Sequence, residues 1–226
     1  MKNIKLVSLN IGLPRAFIFK EKEVQSGINK RPVEKPIKLS VTGFEGDGSA
    51  DLEHHGGESK AVSIYAYEHY PYWEERLEQR LKVGAFGENL TVLGMTEDEV
   101  CIGDIFQFGE ALIQVTQPRQ PCYKLGMRYH VEGLALQFQN SGYTGYYMRV
   151  LKEGWVSKES ELSLLERHFK GITLSCANQI MHHDKQNIEG IKQILEVEAL
   201  SSSWRRTLSK RLQGEINDST KRLAGE

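Results

Sequence analysis

Val100-Cys101-Ile102-Gly103-Asp104-Ile105-Phe106-Gln107-Phe108-Gly109-Glu110-Ala111-Leu112-Ile113-Gln114-Val115-Thr116 decides how this chain is read. Two strand-length runs, Val100–Phe108 and Ala111–Thr116, are rich in β-branched and aromatic residues, and turn residues break them. Ile4–Leu9 and Pro36–Val41 have the same character. Closely spaced short strands with few helices predict a mainly β architecture, a barrel or sandwich in which strand edges are removed or covered. Ser63–Leu81 departs from this pattern: Tyr67, Tyr70, Trp73, Leu77 and Leu81 fall at helical spacing, and Pro71 places the helix start nearby.

The end of the chain reads differently. Residues 1–156 hold 17 glycines and residues 157–226 hold 4. A boundary near residue 168 divides a β domain (1–168) from a C-terminal module of three short helices with a polar tail (169–226). Ile172–Met181 is capped by Thr173. Ile188, Ile191, Ile194 and Leu195 share a face, and Trp204, Leu208 and Leu212 recur after the Ser201–Ser203 run. The module is expected to fold separately and to hold no cofactor ligand, with the chain fraying beyond Gln213.

Bulk properties exclude several classes. With 29 basic and 30 acidic residues among 226, net charge is −1, so no strong field draws the chain to nucleic acid or an anionic membrane. No run reaches the roughly 18 apolar residues of a membrane span. Lys5, Ser8 and Asn10 interrupt any signal-peptide core, and a cytoplasmic address is expected. Three cysteines with no C-x-x-C spacing form neither a disulfide framework nor a zinc ribbon.

Three segments carry candidate chemistry. In Gly46-Asp47-Gly48-Ser49-Ala50-Asp51-Leu52-Glu53-His54-His55-Gly56-Gly57, paired glycines can converge N–H groups on an anion, and His54 or His55 can add a donor. A polar loop with turn glycines explains the segment equally well. Adjacent histidines in a strand point to opposite faces, which argues against a metal site. The glycines of Gly43–Gly48 are in the wrong order for a dinucleotide fingerprint. In Phe86-Gly87-Glu88-Asn89-Leu90, Glu88 and Asn89 can offer an acceptor and an amide edge to a heterocycle, or simply cap a loop. In Gln117-Pro118-Arg119-Gln120-Pro121-Cys122-Tyr123-Lys124, two prolines stiffen the frame of one thiol, and Arg119 and Lys124 favour its thiolate. Cys101, between Val100 and Ile102, and Cys176, on a helix face, read as buried filler. His182, His183 and Asp184 close a helix and carry no site.

Together these segments, with Ala61-Val62, Gly103-Asp104, Leu125 and Gly145-Tyr146-Tyr147-Met148-Arg149-Val150, resemble the MOSC domain, named for the C-terminal domain of molybdenum cofactor sulfurases. The resemblance is to the stand-alone bacterial branch with a C-terminal three-helix module, and it covers nearly the whole chain. It implies a β-barrel that holds a molybdenum–pterin cofactor. Asp47, Asp51, His54, His55, Gly56, Gly57, Lys60, Glu88, Asn89 and Arg119 then stand in the cofactor-binding positions. Cys122 is the implied catalytic residue, ligating molybdenum, or carrying a persulfide as in the sulfurases. The sulfurases' pyridoxal-phosphate domain has no counterpart here. The branch implies a reductase of N-hydroxylated compounds, including N-hydroxylated purine bases. It would be fed by a separate redox protein, with a homodimer left open. A sulfur carrier without metal and a non-catalytic cofactor carrier are the competing expectations. The bottom-up chemistry agrees: a pterin phosphate needs N–H groups and cations, and molybdenum prefers soft sulfur.

Overall fold

A computed structural model describes residues 4–19, 22–51, 56–215 and 218–225. The strands are β1 (Lys5–Ile11), β2 (Arg15–Phe19), β3 (Lys22–Ser26), β4 (Arg31–Pro32), β5 (Ile37–Ser40), β6 (Gly43–Phe44) and β7 (Val62–Ala66). There follow β8 (Leu90–Leu93), β9 (Ile105–Phe108), β10 (Ala111–Pro118), β11 (Tyr146–Lys152), β12 (Gly154–Val156) and β13 (Leu162–Glu166). Eight of them pair in the order β13-β9-β10-β11-β7-β8-β1-β4, and β12-β5-β6 and β2-β3 form smaller sheets. Pairing in the large sheet is antiparallel except between β7 and β8.

The mainly β expectation holds, but the barrel is a half-barrel: the large mixed sheet curls, and β13 and β4 end it rather than pairing with each other. At one end, β4 is two residues long and includes Pro32, which has no N–H to extend the ladder. The quoted stretch accounts for the centre of the sheet, where β9 and β10 form a hairpin with Ala111 opposite Phe108. Only the second half of its first run is strand. Gly103, at φ +93°, turns the chain where a Cβ would sit 2.6 Å from the His168 ring. Buried Asp104 pins that turn by accepting the N–H groups of Cys101 and His168, each at 2.9 Å.

The helices are α1 (Tyr70–Leu77), α2 (Lys124–Tyr129), α3 (Leu134–Ser141), α4 (Leu174–His182), α5 (Ile188–Leu195), α6 (Ser202–Leu212) and α7 (Thr220–Ala224). α1 starts where Pro71 indicates, but the Ser63 end of the presumed helix is β7. Every residue of that strand is buried, so its pattern is a continuous run rather than an alternation. Among the described residues, no helix is long and apolar enough to cross a membrane.

α4–α6 form the C-terminal three-helix region, and local signals set their starts. Thr173, Asn187 and Ser201 each accept a backbone N–H three residues on, from Cys176, Gly190 and Trp204. The region does not keep a core of its own. Leu174, Ile191, Trp204 and Leu208 join the buried cluster that includes Leu9, Val115 and Met148 of the sheet. Stripping one such aliphatic side chain off the sheet would cost about 2 kcal/mol. Polar contacts cross the same seam: Ser201 donates its N–H to the Thr116 carbonyl at 3.3 Å, and Arg149 reaches the Ala199 carbonyl at 2.7 Å. Near residue 168 the chain passes from strands to helices, and the helices share buried contacts with the sheet. The tail does not simply fray, since α7 forms beyond Gln213. Cys176 is exposed, so the filler reading fails there, whereas Cys101 is buried as expected.

Candidate active site

β10 ends at Pro118, opposite Tyr146 of β11, and the chain leaves the sheet with Arg119 N–H on the Gly145 carbonyl at 2.9 Å. The rigid Pro121-Cys122 step follows, and the Cys122 carbonyl accepts Leu125 N–H at 3.0 Å as α2 begins. The thiol is thereby carried from a fixed strand end to a fixed helix start. It lines a cleft of about 430 Å³ whose walls also include Arg119, Lys124 and Tyr147. The cleft has the size of a small-molecule site.

Cations surround the thiol as the sequence suggests, but burial outweighs them. Desolvation pushes the Cys122 thiol above its ordinary value, against the Lys124 amide and the charges of Lys124, Arg119 and Arg222. Tyr147 is raised by the same cause and stays a neutral hydroxyl near pH 7.

Asp47, Asp51, Gly56, Gly57, Lys60 and Asn89 all line the cleft. Asp47 is fully engaged by the protein: Oδ1 accepts the Gly12 N–H at 2.8 Å and an ion pair from Lys30, and Oδ2 accepts from Asn89 at 2.8 Å. The Asn89 amide is engaged too, with Oδ1 accepting from Ser63 N–H and hydroxyl, and Nδ2 donating to the Asn10 carbonyl and Asp47. These contacts brace the wall of the cleft that both residues line. Gly57, at φ +90°, has open space beside it, so the backbone lies bare to the cleft. Burial lowers the pKa of Lys60, with nearby Asp51 opposing and Arg206 of α6 adding to the effect. His54 and His55 lie outside the described residues.

Glu88, by contrast, is fully buried and does not line the cleft. Its carboxylate accepts from Gly84 N–H at 3.0 Å, Phe86 N–H at 2.9 Å, Thr91 hydroxyl at 2.9 Å and Tyr70 hydroxyl. It holds the 84–88 loop in shape, so the loop-cap alternative is the one realised. That loop in turn presents the Phe86 carbonyl to Arg119 Nη2 at 2.6 Å.

Lys30 went unnoticed in the sequence. It lines the cleft and is buried, and desolvation lowers its pKa despite Asp47, with Arg119 adding to the drop. Its setting in Ile28-Asn29-Lys30-Arg31 gives no local signal, because the partner stands 17 residues away. Among the described residues, Arg119 Nη1 is buried without a hydrogen-bond partner.

Residues 51–163 match the family model of the MOSC domain, and residues 172–215 match the YiiM-like, 3-alpha helix domain. The chain belongs to the MOSC family. It is 50% identical over 206 residues to the uncharacterized protein YflK of Bacillus subtilis, spanning 91% of this chain and 93% of that one. The crystal structure of YiiM from Geobacillus stearothermophilus superposes with a TM-score of 0.80 at 40% identity, covering 93% of this chain and all of the other. A protein of Gibberella moniliformis named a reductase is 41% identical over 151 residues, which are 65% of this chain but 27% of that longer protein. MOSC domains are associated with binding of the molybdenum cofactor.

The residues of this MOSC chain fit such a group. Among the described residues, no cluster of three or more His, Cys, Asp or Glu could hold a bare metal ion. The Cys122 thiol is a soft donor and suits a metal that arrives with sulfur ligands of its own. An anionic pterin phosphate would find Lys30, Lys60 and Arg119 around the cleft, with an orphaned Nη1 to satisfy.

Proposed function

We propose that this chain is a molybdenum-cofactor-dependent oxidoreductase that reduces N-hydroxylated compounds, among them N-hydroxylated purine bases, with Cys122 as the protein's ligand to the metal. The observation that carries the reading is the meeting of one thiol, Cys122, with the buried cation Lys30 and the half-satisfied Arg119 in a single cleft. The bound cofactor would supply two-electron removal of oxygen from nitrogen. The balance is R–NHOH + 2e⁻ + 2H⁺ → R–NH₂ + H₂O, with the electrons arriving from a separate redox protein.

The chain's own contribution is orientation and charge. Pro121 and the α2 start hold the thiol in place. Arg119, fixed by the Phe86 carbonyl, offers its buried Nη1, and neutral Tyr147 forms part of the wall beside it. The Asp47 carboxylate, paired with Lys30, opposes the fall in the Lys30 pKa that burial causes. A metal-free sulfur carrier would use the thiol but has no need of a cation-lined cleft. The test is turnover of a hydroxylaminopurine by cofactor-loaded protein with a reducing partner. The reading expects stoichiometric amine. Loaded protein that leaves the N–OH bond intact with every reductant contradicts it.

A further inference from the structure

We propose that the C-terminal segment, residues 218–225, is a clamp on the thiol-bearing loop, with Arg222 as a positioning residue for Cys122. The inference rests on the reading of Cys122 as the working thiol. The match to the YiiM-like helical domain stops at residue 215, before this segment.

One residue holds both flanks of the cysteine. Arg222 Nη1 donates to the carbonyl of Pro121, and the Arg222 carbonyl accepts the N–H of Tyr123 at 2.9 Å. Its Nη2 donates to Gln139 Oε1 of α3 at 2.7 Å, so the guanidinium bridges the loop to the body of the protein. The rigid fork aims two separate nitrogens at these two acceptors, whereas a lysine has a single nitrogen on a flexible stem. Gly225 closes the clamp. At φ +77° it lies against the Tyr123 ring, where a Cβ would come within 2.9 Å of ring carbons. On its other side, Tyr123 packs against Phe19 of the β2–β3 hairpin with ring centroids 5.5 Å apart. The loop 121–123 is thereby held by three parts of the chain far apart in sequence. Two prolines stiffen such a loop but do not dock it to anything, whereas the clamp does.

The experiment compares full-length wild type with Arg222→Ala, Arg222→Lys, Gly225→Val and, as control, Lys221→Ala on the exposed side of α7. Backbone hydrogen exchange is read peptide by peptide, together with the half-life of molybdenum retention during dialysis. Exchange in residues 121–125 should rise roughly 10-fold in Arg222→Ala and Gly225→Val, the scale of losing one or two hydrogen bonds. Exchange in α4–α6 and in Lys221→Ala should stay at wild-type values, and metal retention should shorten in step. Arg222→Lys should behave like the alanine variant, because the fork and not the charge makes the clamp. Unchanged exchange in 121–125, or full rescue by lysine, overturns the proposal. Wild type that never acquires molybdenum counts against the proposed function instead, and the exchange data still decide the clamp.

Discussion

Three thiols of identical chemistry have three different fates here, and each is set by neighbours rather than by the residue itself. Cys101 is buried, and its Sγ accepts from Arg167 at 3.0 Å, so serine can keep the bond but buries a hydroxyl where a sulfur packed. Cys101→Ser should lower stability by about 1 kcal/mol, visible as a lower melting temperature with metal content unchanged. Cys176→Ser should change neither, because that side chain faces solvent. A drop in metal content from either variant would undo this division. The proline frame of Cys122 was legible in the sequence. Its raised thiol was not, because desolvation is a property of the assembled cleft. Glu88 teaches the same lesson: the motif alone left a ligand contact and a loop cap both open, and its partners Tyr70 and Thr91, from α1 and β8, make it scaffolding.

At the scale of elements, what was legible was local. Thr173 and the Ser201–Ser203 run announced helix starts because a cap acts over three residues, and Pro71 announced α1 because proline is tolerated in a first turn. What was hidden was long-range. The polar composition from Gln213 onward gives no reason to expect α7, whose Arg222 bonds Pro121 across 101 positions of sequence. α4 also carries a titration that depends on its surroundings. His182, at its end, is buried near Arg222, Arg211, His183 and Lys185, and burial first and those charges second depress its pKa to about 3. The imidazole is therefore neutral in the folded state at pH values where the unfolded chain, near pKa 6.5, binds a proton. Unfolding takes up that proton, so stability falls as pH drops from about 6.5 toward 3, by roughly 2 kcal/mol at pH 5. Denaturation midpoints at pH 7 and pH 5 should show this loss in wild type and a smaller one in His182→Gln. Equal losses in both would assign the acid sensitivity elsewhere.

At the scale of the molecule, the half-barrel and the three helices share one buried cluster, and residues of both come close to the cleft. The sheet supplies Tyr147 on β11 and the strand end that launches Arg119. α6 places Arg206 near Lys60, and α7 brings Arg222 to the residues flanking Cys122. The central claim is that this assembly holds one molybdenum through one thiol. The most direct test is the molybdenum content of wild type and Cys122→Ser, purified from a host that makes the cofactor, with circular dichroism confirming that both are folded. Serine is a hard oxygen donor with a far higher pKa, so it is a poor ligand for a soft metal site. The account predicts about one molybdenum per wild-type chain and almost none in folded Cys122→Ser; metal-free wild type, or full occupancy in the serine variant, would contradict it.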